Sequence, residues 1–403
     1  MPWLSENPLW ETFATRALFS ATYGGADFGE CARALERIGD GGADDWHREW
    51  TAQAEDLVEL ADARAAAGHN VSAREAYLRA TTYFRTAYLP LFGAPTDERL
   101  RQTFARECEV FAKAAPLWDT PVELVEIPVG VGASLPAVFV RRDDSDRPRP
   151  TIVHVNGYDS NVHEMFVAHS GAALRRGYNI LLFDGPGQGR NLIRDALAMR
   201  PDWEHIVAPV LDHVLERPEV DAGAIVLAGW SWGGFLAPRA AAFETRIAAV
   251  WADPGQWDQR DRLPLAEHEK PTFPDGVEPD RFARMEAHLR SQAGDPLMRW
   301  RLLQRGLWVH GVNTLHDYFV ELARYELSSV AADIRCPTLI TSAEDDPIAI
   351  GAPKLHAAIG AQRKALFAFT AAEGAGGHCE FEGRRRFHQR CFDWLDDTLQ
   401  HAT

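Results

Sequence analysis

Cysteine is scarce in this chain, and the little there is forms no pattern. Cys31, Cys108, Cys336, Cys379 and Cys391 are odd in number and contain no C-x-x-C pair. That argues against a disulfide scaffold and for reduced thiols, as in a cytoplasmic protein. Positive charge is also short: 42 Lys and Arg stand against 58 Asp and Glu, a net charge of −16, with no basic block. Nucleic acid and anionic membrane surfaces are therefore poor partners. No window approaches the ~18 uninterrupted apolar residues of a membrane span. The opening MPWLSENPLWETF lacks the basic segment followed by an apolar one that marks a secretory signal. The His residues include no H-E-x-x-H and no Cys/His ligand spacing, so neither a metal nor another cofactor is expected. What remains is an ordinary globular composition, 46% apolar and 25% charged over 403 residues. Such a length holds one large domain or two to three smaller ones.

The first part of the chain reads as helical. Trp46, Trp50, Ala54, Leu57, Leu60 and Ala61 recur at helical spacing between Asp44 and Gly68. Ser72-Ala73-Arg74-Glu75 has the form of a capping box opening a second helix towards Leu89, and a third is expected from about Thr96 to Ala115. No self-similarity returns at a tetratricopeptide period, so residues 1–120 are expected to form a helical accessory domain and not a repeat array.

After Pro121 the texture changes. Val122 to Pro128 and Leu135 to Val140 alternate as an edge hairpin would, and Thr151 to Asn156 reads as a buried strand. Strands and helices then alternate through Trp251, which predicts a mainly parallel sheet covered on both faces. The alternation stops between Asp253 and Arg335, where Gln256 to Gly276 is charged and Pro279 to Val330 reads as several helices. A helical cap insertion at about 255–334 is therefore expected within a catalytic domain spanning 121–403. The pattern resumes with strands at 337–341 and 365–370 and a closing helix to about Leu399.

Gly229-Trp230-Ser231-Trp232-Gly233-Gly234 lies between an apolar run and a helical one. Strand, G-x-S-x-G, helix is the context of a nucleophile elbow, in which a strained turn lifts Ser above the sheet. A serine nucleophile needs a base, and His378 lies in a Gly-rich loop directly after the strand at 365–370. A neutral imidazole there can take the Ser proton and return it to the leaving group. Its neighbour Cys379 reads as a bystander. The orienting acid is expected after the strand at 337–341, where Glu344-Asp345-Asp346-Pro347 offers three carboxylates. Asp346 is preferred because the following Pro fixes the turn, with Asp345 in reserve. Two backbone N–H groups must meet the developing oxyanion: Trp232, after the nucleophile, and Tyr158, in Asn156-Gly157-Tyr158-Asp159-Ser160.

Asp184-Gly185-Pro186-Gly187-Gln188-Gly189 lacks dinucleotide spacing and reads as a structural loop at the base of the site. Asp253 either lines the pocket or caps the turn before Pro254. Trp230 either packs under the elbow or joins Trp232, Trp251, Trp257, Trp308 and Tyr318 in walling an aromatic pocket.

Taken together these motifs resemble α/β-hydrolases with an N-terminal helical domain, a group including 2,6-dihydroxypseudooxynicotine hydrolase and fungal hydrolases that shorten polyketides. The likeness covers nearly the whole chain. It rests on Ser72 to Ala80, Asn156 to Ser160, Asp184 to Gly189, the Ser231 elbow and Glu373 to Glu380. It implies an α/β-hydrolase fold, a Ser231–Asp346–His378 triad, a lid built partly from the helical domain, and often a homodimer. Several such relatives cleave a carbon–carbon bond next to a ketone, and others are esterases. Arg190 departs from the pattern, since a small or acidic residue commonly follows the last Gly of that loop. The expected activity is serine-dependent cleavage of a ketone- or ester-bearing aromatic or polyketide-like molecule. A carboxylesterase, lactonase or acyltransferase is the near alternative. A binding or regulatory protein on the same scaffold is the non-enzymatic one.

Overall fold

A computed structural model describes residues 4–130, 133–263, 265–274 and 277–400. The first three residues of the stretch read for a signal, and Gly276 at the end of the charged segment, lie outside them.

Eight strands form the central sheet: β1 (Val122–Pro128), β2 (Ser134–Val140), β3 (Arg149–Val155), β4 (Asn179–Phe183), β5 (Val220–Trp230), β6 (Ala249–Asp253), β7 (Thr338–Ala343) and β8 (Lys364–Phe369). Their spatial order is β1-β2-β4-β3-β5-β6-β7-β8. β1 pairs antiparallel with β2, and β2 with β4, while every later neighbour is parallel. This is the arrangement that the resemblance implies. β3 to β6 are buried almost throughout because helices cover both faces, which is why they read as continuous apolar runs and not as alternating ones. β5 begins at Val220, before its apolar run, where Val220 pairs with Arg149, and continues through Gly229 and Trp230, which pair with Ala252 and Asp253 of β6.

Before the sheet come helices Pro8–Phe19, Phe28–Ile38, Ala43–Ala66, Asn70–Tyr88 and Glu98–Ala114. In Ala43–Ala66 the buried stripe is Trp46, Trp50, Ala54, Leu57, Val58 and Ala61; Leu60 faces outward and is 44% exposed. The expected capping box at Ser72 is not the helix start. Gly68 turns left-handed at φ +78°, His69 N donates to Arg64 O at 2.9 Å, and the next helix begins at once at Asn70. So short a link leaves no room for an N-cap at Ser72, which lies inside the first turn.

The helical segment and the sheet share one buried core. Trp10, Phe13, Trp46 and Trp50 belong to the same apolar cluster as Val153, Leu227 and Ile340. The segment between β6 and β7 carries helices Pro279–Gln292, Pro296–Arg299, Leu307–His310 and Leu315–Leu322, with a π-helical stretch at Trp300–Gly306. It closes onto the N-terminal helices: Trp300 Nε1 donates to Leu89 O at 2.7 Å, and the Trp300 ring lies 4.8 Å from Phe13. Arg190, the departure noted above, ties its loop to the edge hairpin through Glu126, with Nη2 2.7 Å from Oε2. No described helix is long and apolar enough to cross a membrane.

Candidate active site

β5 ends at Trp230 and a helix begins at Gly233. Between them Ser231 adopts φ +56°, a left-handed conformation that a non-glycine residue rarely takes. The surroundings hold it there. Ser231 N donates to Asp253 O at 2.6 Å, and Gln256 Nε2 donates to Ser231 O. The turn is so tight that a Cβ on Gly229 would stand 2.0 Å from Gly233 O, so only glycine lets strand and helix approach in this way.

Ser231 Oγ lies 2.9 Å from His378 Nε2, and His378 Nδ1 lies 2.8 Å from Asp346 Oδ2. The loops after β7 and β8 are stitched by Asp345 N to Gly376 O at 2.8 Å and Glu344 N to Phe369 O at 2.9 Å. This stitching turns Asp346 inward, where it is buried, and leaves Glu344 and Asp345 exposed. Burial pushes the Asp346 carboxyl up, but His378 and the Ile348 and Cys379 amides outweigh it, so it sits below the usual carboxylate range. Cys379 is buried with Sγ 3.4 Å from His378 Nε2, and burial pushes its thiol well up. Asp346, His378 and Cys379 offer ligand atoms within 4.8 Å of one another. Both His378 nitrogens are already engaged and the thiol keeps its proton, so the set suits proton transfer better than a cation.

Gly157 packs directly on the elbow: a Cβ there would stand 3.0 Å from Ser231 Cβ. The loop that follows β4 fixes this approach. Gln188 Nε2 donates to Asn156 O at 2.7 Å and to Gly157 O at 3.1 Å, while its Oε1 accepts from Gly185 N at 2.9 Å. Asn156 Nδ2 in turn donates to Asp184 Oδ1 at 2.8 Å. Among the described residues the N–H groups of Trp232 and Tyr158 donate to no other backbone group. The Tyr158 ring leans edge-on against Trp232, 4.8 Å away.

Ser231 and His378 open onto a cavity of about 270 Å³, walled by Phe13, Arg16 and Phe19 of the first helix, by Tyr158 and Asp159, and by Trp300, Arg301 and Arg305 of the cap. Trp230 also reaches this wall, although only 2% of it is exposed; its ring packs against Phe381 at 4.9 Å and His169 at 5.1 Å. The other expected wall residues lie elsewhere. Trp308 turns to Phe92 at 5.0 Å, and Tyr318 stands behind Tyr158, against His310 at 5.4 Å. Asp253 is buried beneath the elbow, where Thr341 Oγ1 donates to its Oδ1 at 2.9 Å. A carboxylate at the end of a fully buried strand is held by its neighbours and not by solvent in the pocket, so Asp253 supports the turn.

The profile described as "Alpha/beta hydrolase family" matches residues 152–389, and that of "Esterase FrsA-like" matches residues 38–254. The chain belongs to the alpha/beta hydrolase family. It is 32% identical to "Hydrolase LUC6" of Fusarium sp over 414 residues, covering 95% of each chain. It is 31% identical to "20-hydroxy-prefusarin hydrolase FUS2" of Gibberella moniliformis over 415 residues, again covering 95% of each. In structure it is similar to 2,6-dihydroxy-pseudo-oxynicotine hydrolase, with TM-score 0.75, 24% identity and 95% of each chain covered. It is an enzyme, a hydrolase, of the helical-domain group that its motifs resemble.

Two features of this hydrolase escape its motifs. One is the set of arginines on the cavity wall, Arg16 from the first helix and Arg301 and Arg305 from the cap, backed by Arg85 of the fourth helix. Its only trace in the sequence is the four-residue spacing of Arg301 and Arg305. The other is a buried carboxyl pair under the elbow. Among the described residues no N–H or O–H donor reaches either Glu380 oxygen or Asp253 Oδ2. Burial pushes both carboxyls up, and Asp253 pushes Glu380 further the same way. Arg384 lies close by, fully buried, with its guanidinium 4.4 Å from the Trp230 ring. The sequence places Glu380 two residues after His378, but only the fold shows it facing Asp253.

Proposed function

We propose that this hydrolase uses Ser231 as nucleophile, His378 as general base and acid, and Asp346 as the orienting carboxylate, acting on a ketone- or ester-bearing aromatic or polyketide-like molecule. The observation that carries this is the continuous Asp346–His378–Ser231 hydrogen-bond chain, ending at the wall of a cavity. Ser231 Oγ adds to the substrate carbonyl carbon while His378 Nε2 takes its proton. The resulting oxyanion is met by the N–H groups of Trp232 and Tyr158, each donor worth about 3 kcal/mol in such sites. The bond to the leaving group then breaks, its electron pair departing as enolate or alkoxide and taking the proton from His378. Water, deprotonated by His378, attacks the acyl-enzyme and releases the acid and free Ser231. Asp346 stabilises the imidazolium in both halves without taking the proton.

Carbon–carbon cleavage demands that the leaving carbon be enolisable or part of an electron-rich ring, since an unstabilised carbanion leaves too slowly. Phe13, Phe19, Trp300 and Phe381 on the cavity wall suit an aromatic or polyene body. The first helix, contributing Phe13, Arg16 and Phe19, serves as part of the lid. Ester hydrolysis is the second reading, favoured by the esterase profile matched over residues 38–254. A panel of aryl β-diketones and p-nitrophenyl esters, with both product halves identified by mass, separates the two. Acid plus methyl ketone from the diketones supports carbon–carbon cleavage. Turnover confined to esters overturns it, and turnover surviving in Ser231→Ala overturns both.

A further inference from the structure

Three guanidinium groups line the cavity, those of Arg16, Arg301 and Arg305, with Arg85 behind Arg16, and all but Arg301 are answered. Arg16 binds Asp159 Oδ1 at 2.9 Å and Glu164 Oε2 at 2.7 Å. Arg85 binds Glu164 Oε2 and Asp159 O, both at 2.9 Å. Arg305 binds Asp159 Oδ2 at 2.8 Å, and its guanidinium is wedged between the rings of Trp300 at 4.7 Å and Tyr158 at 5.1 Å. Arg301 lines the same cavity and makes no ion pair or hydrogen bond within the described residues. Asp159 and Glu164 thus answer Arg16, Arg85 and Arg305, while Arg301 feels Asp159, already shared, and Asp295 only at longer range. Glu382 stands on the opposite wall with its carboxylate against Gly377, away from Arg301.

Arg301 is exposed at the rim of the cavity, with its guanidinium free to meet a ligand. It stands four residues before Arg305 in the π-helical stretch Trp300–Gly306, whose wide turn keeps both on one face. Like charges so spaced destabilise a helix; partial desolvation and Arg305 depress the Arg301 guanidinium, partly offset by Asp159 and Asp295. A guanidinium presents a planar fork that matches the two oxygens of a carboxylate. We infer that Arg301 anchors a carboxylate on the substrate, with Arg16 and Arg305 held rigid beside it by their own carboxylate partners. This rests on the reading that Ser231 and His378 work in the same cavity. The substrate is then a monoanionic acid whose scissile carbonyl reaches Ser231 while its carboxylate reaches the cap.

Binding of 2-naphthoate and of the isosteric neutral 2-naphthamide to the full-length protein, measured by titration calorimetry, tests this without turnover. The wild type is expected to prefer the carboxylate by about tenfold or more, and less so as salt rises. Arg301→Gln is expected to lose that preference, Arg301→Lys to keep part of it, and Arg335→Gln, which removes one exposed charge elsewhere, to keep all of it. Equal affinity for the two probes, no measurable binding of the carboxylate, or an undiminished preference in Arg301→Gln overturns the assignment. Ser231→Ala should retain the preference while losing turnover, so a failure of the nucleophile reading shows up separately.

Discussion

Ser231 occupies a backbone region that costs a non-glycine residue roughly 1–2 kcal/mol, and the hydrogen bonds at both its N–H and C=O are what keep it there. At this scale the sequence was legible wherever a residue's place in the chain order of the fold was enough, as for Ser231 and His378. It was ambiguous at Asp345 and Asp346, because adjacent residues in a turn point in opposite directions and only burial separates them. Asp346 is buried against His378; Asp345 is exposed and contributes its backbone N–H to the neighbouring loop. Asp346→Asn should therefore lower kcat by about four orders of magnitude, through loss of the His378 tautomer and of imidazolium stabilisation. Asp345→Asn should change it less than about threefold, since the N–H that does the stitching is retained. Steady-state turnover of the two variants on one substrate decides between them.

Among the elements, the strand–turn–helix of the elbow and the parallel alternation could be read directly, since buried strands and amphipathic helices impose their own periods. The helix start at Asn70 could not, because the short turn at Gly68 overrode a capping signal. Nor could the role of the loop after β4, which depends on contacts some thirty residues apart. Gln188 satisfies the carbonyls of Asn156 and Gly157 and the N–H of Gly185 at once, all in a buried position. Gln188→Ala leaves those groups unpaired and frees the loop that carries the Tyr158 N–H. It should cost about 2 kcal/mol of stability and lower kcat by roughly 10- to 100-fold, with a smaller change in KM. Urea unfolding and steady-state kinetics on the same preparation check both parts.

Across the whole molecule, helices, sheet and cap share one core, and the arginine cluster bridges all three over sequence separations that no local pattern records. The same continuity also buries Asp184, beneath the loop that packs on Ser231. Burial pushes Asp184 up to about 7 against an ordinary value of 3.8, partly offset by His163 and by backbone donors. The folded chain therefore holds this proton through a range in which the unfolded chain has lost it. The stability it contributes is fully present below about pH 4 and is lost as pH rises through about 7, amounting to a few kcal/mol at most. Asp184→Asn should flatten this part of the curve. Urea midpoints for both proteins at pH 5 and pH 8 should show the wild type losing more than the variant over that interval; parallel losses would contradict the assignment.

The central claim is that Ser231 is a nucleophile activated by His378. A fluorophosphonate probe followed by peptide mass mapping tests it most directly. A single adduct is expected on Ser231, formed rapidly in the wild type, slowly in His378→Ala and not at all in Ser231→Ala. A well-folded wild-type protein that takes up no label, or takes it up on another residue, would contradict it.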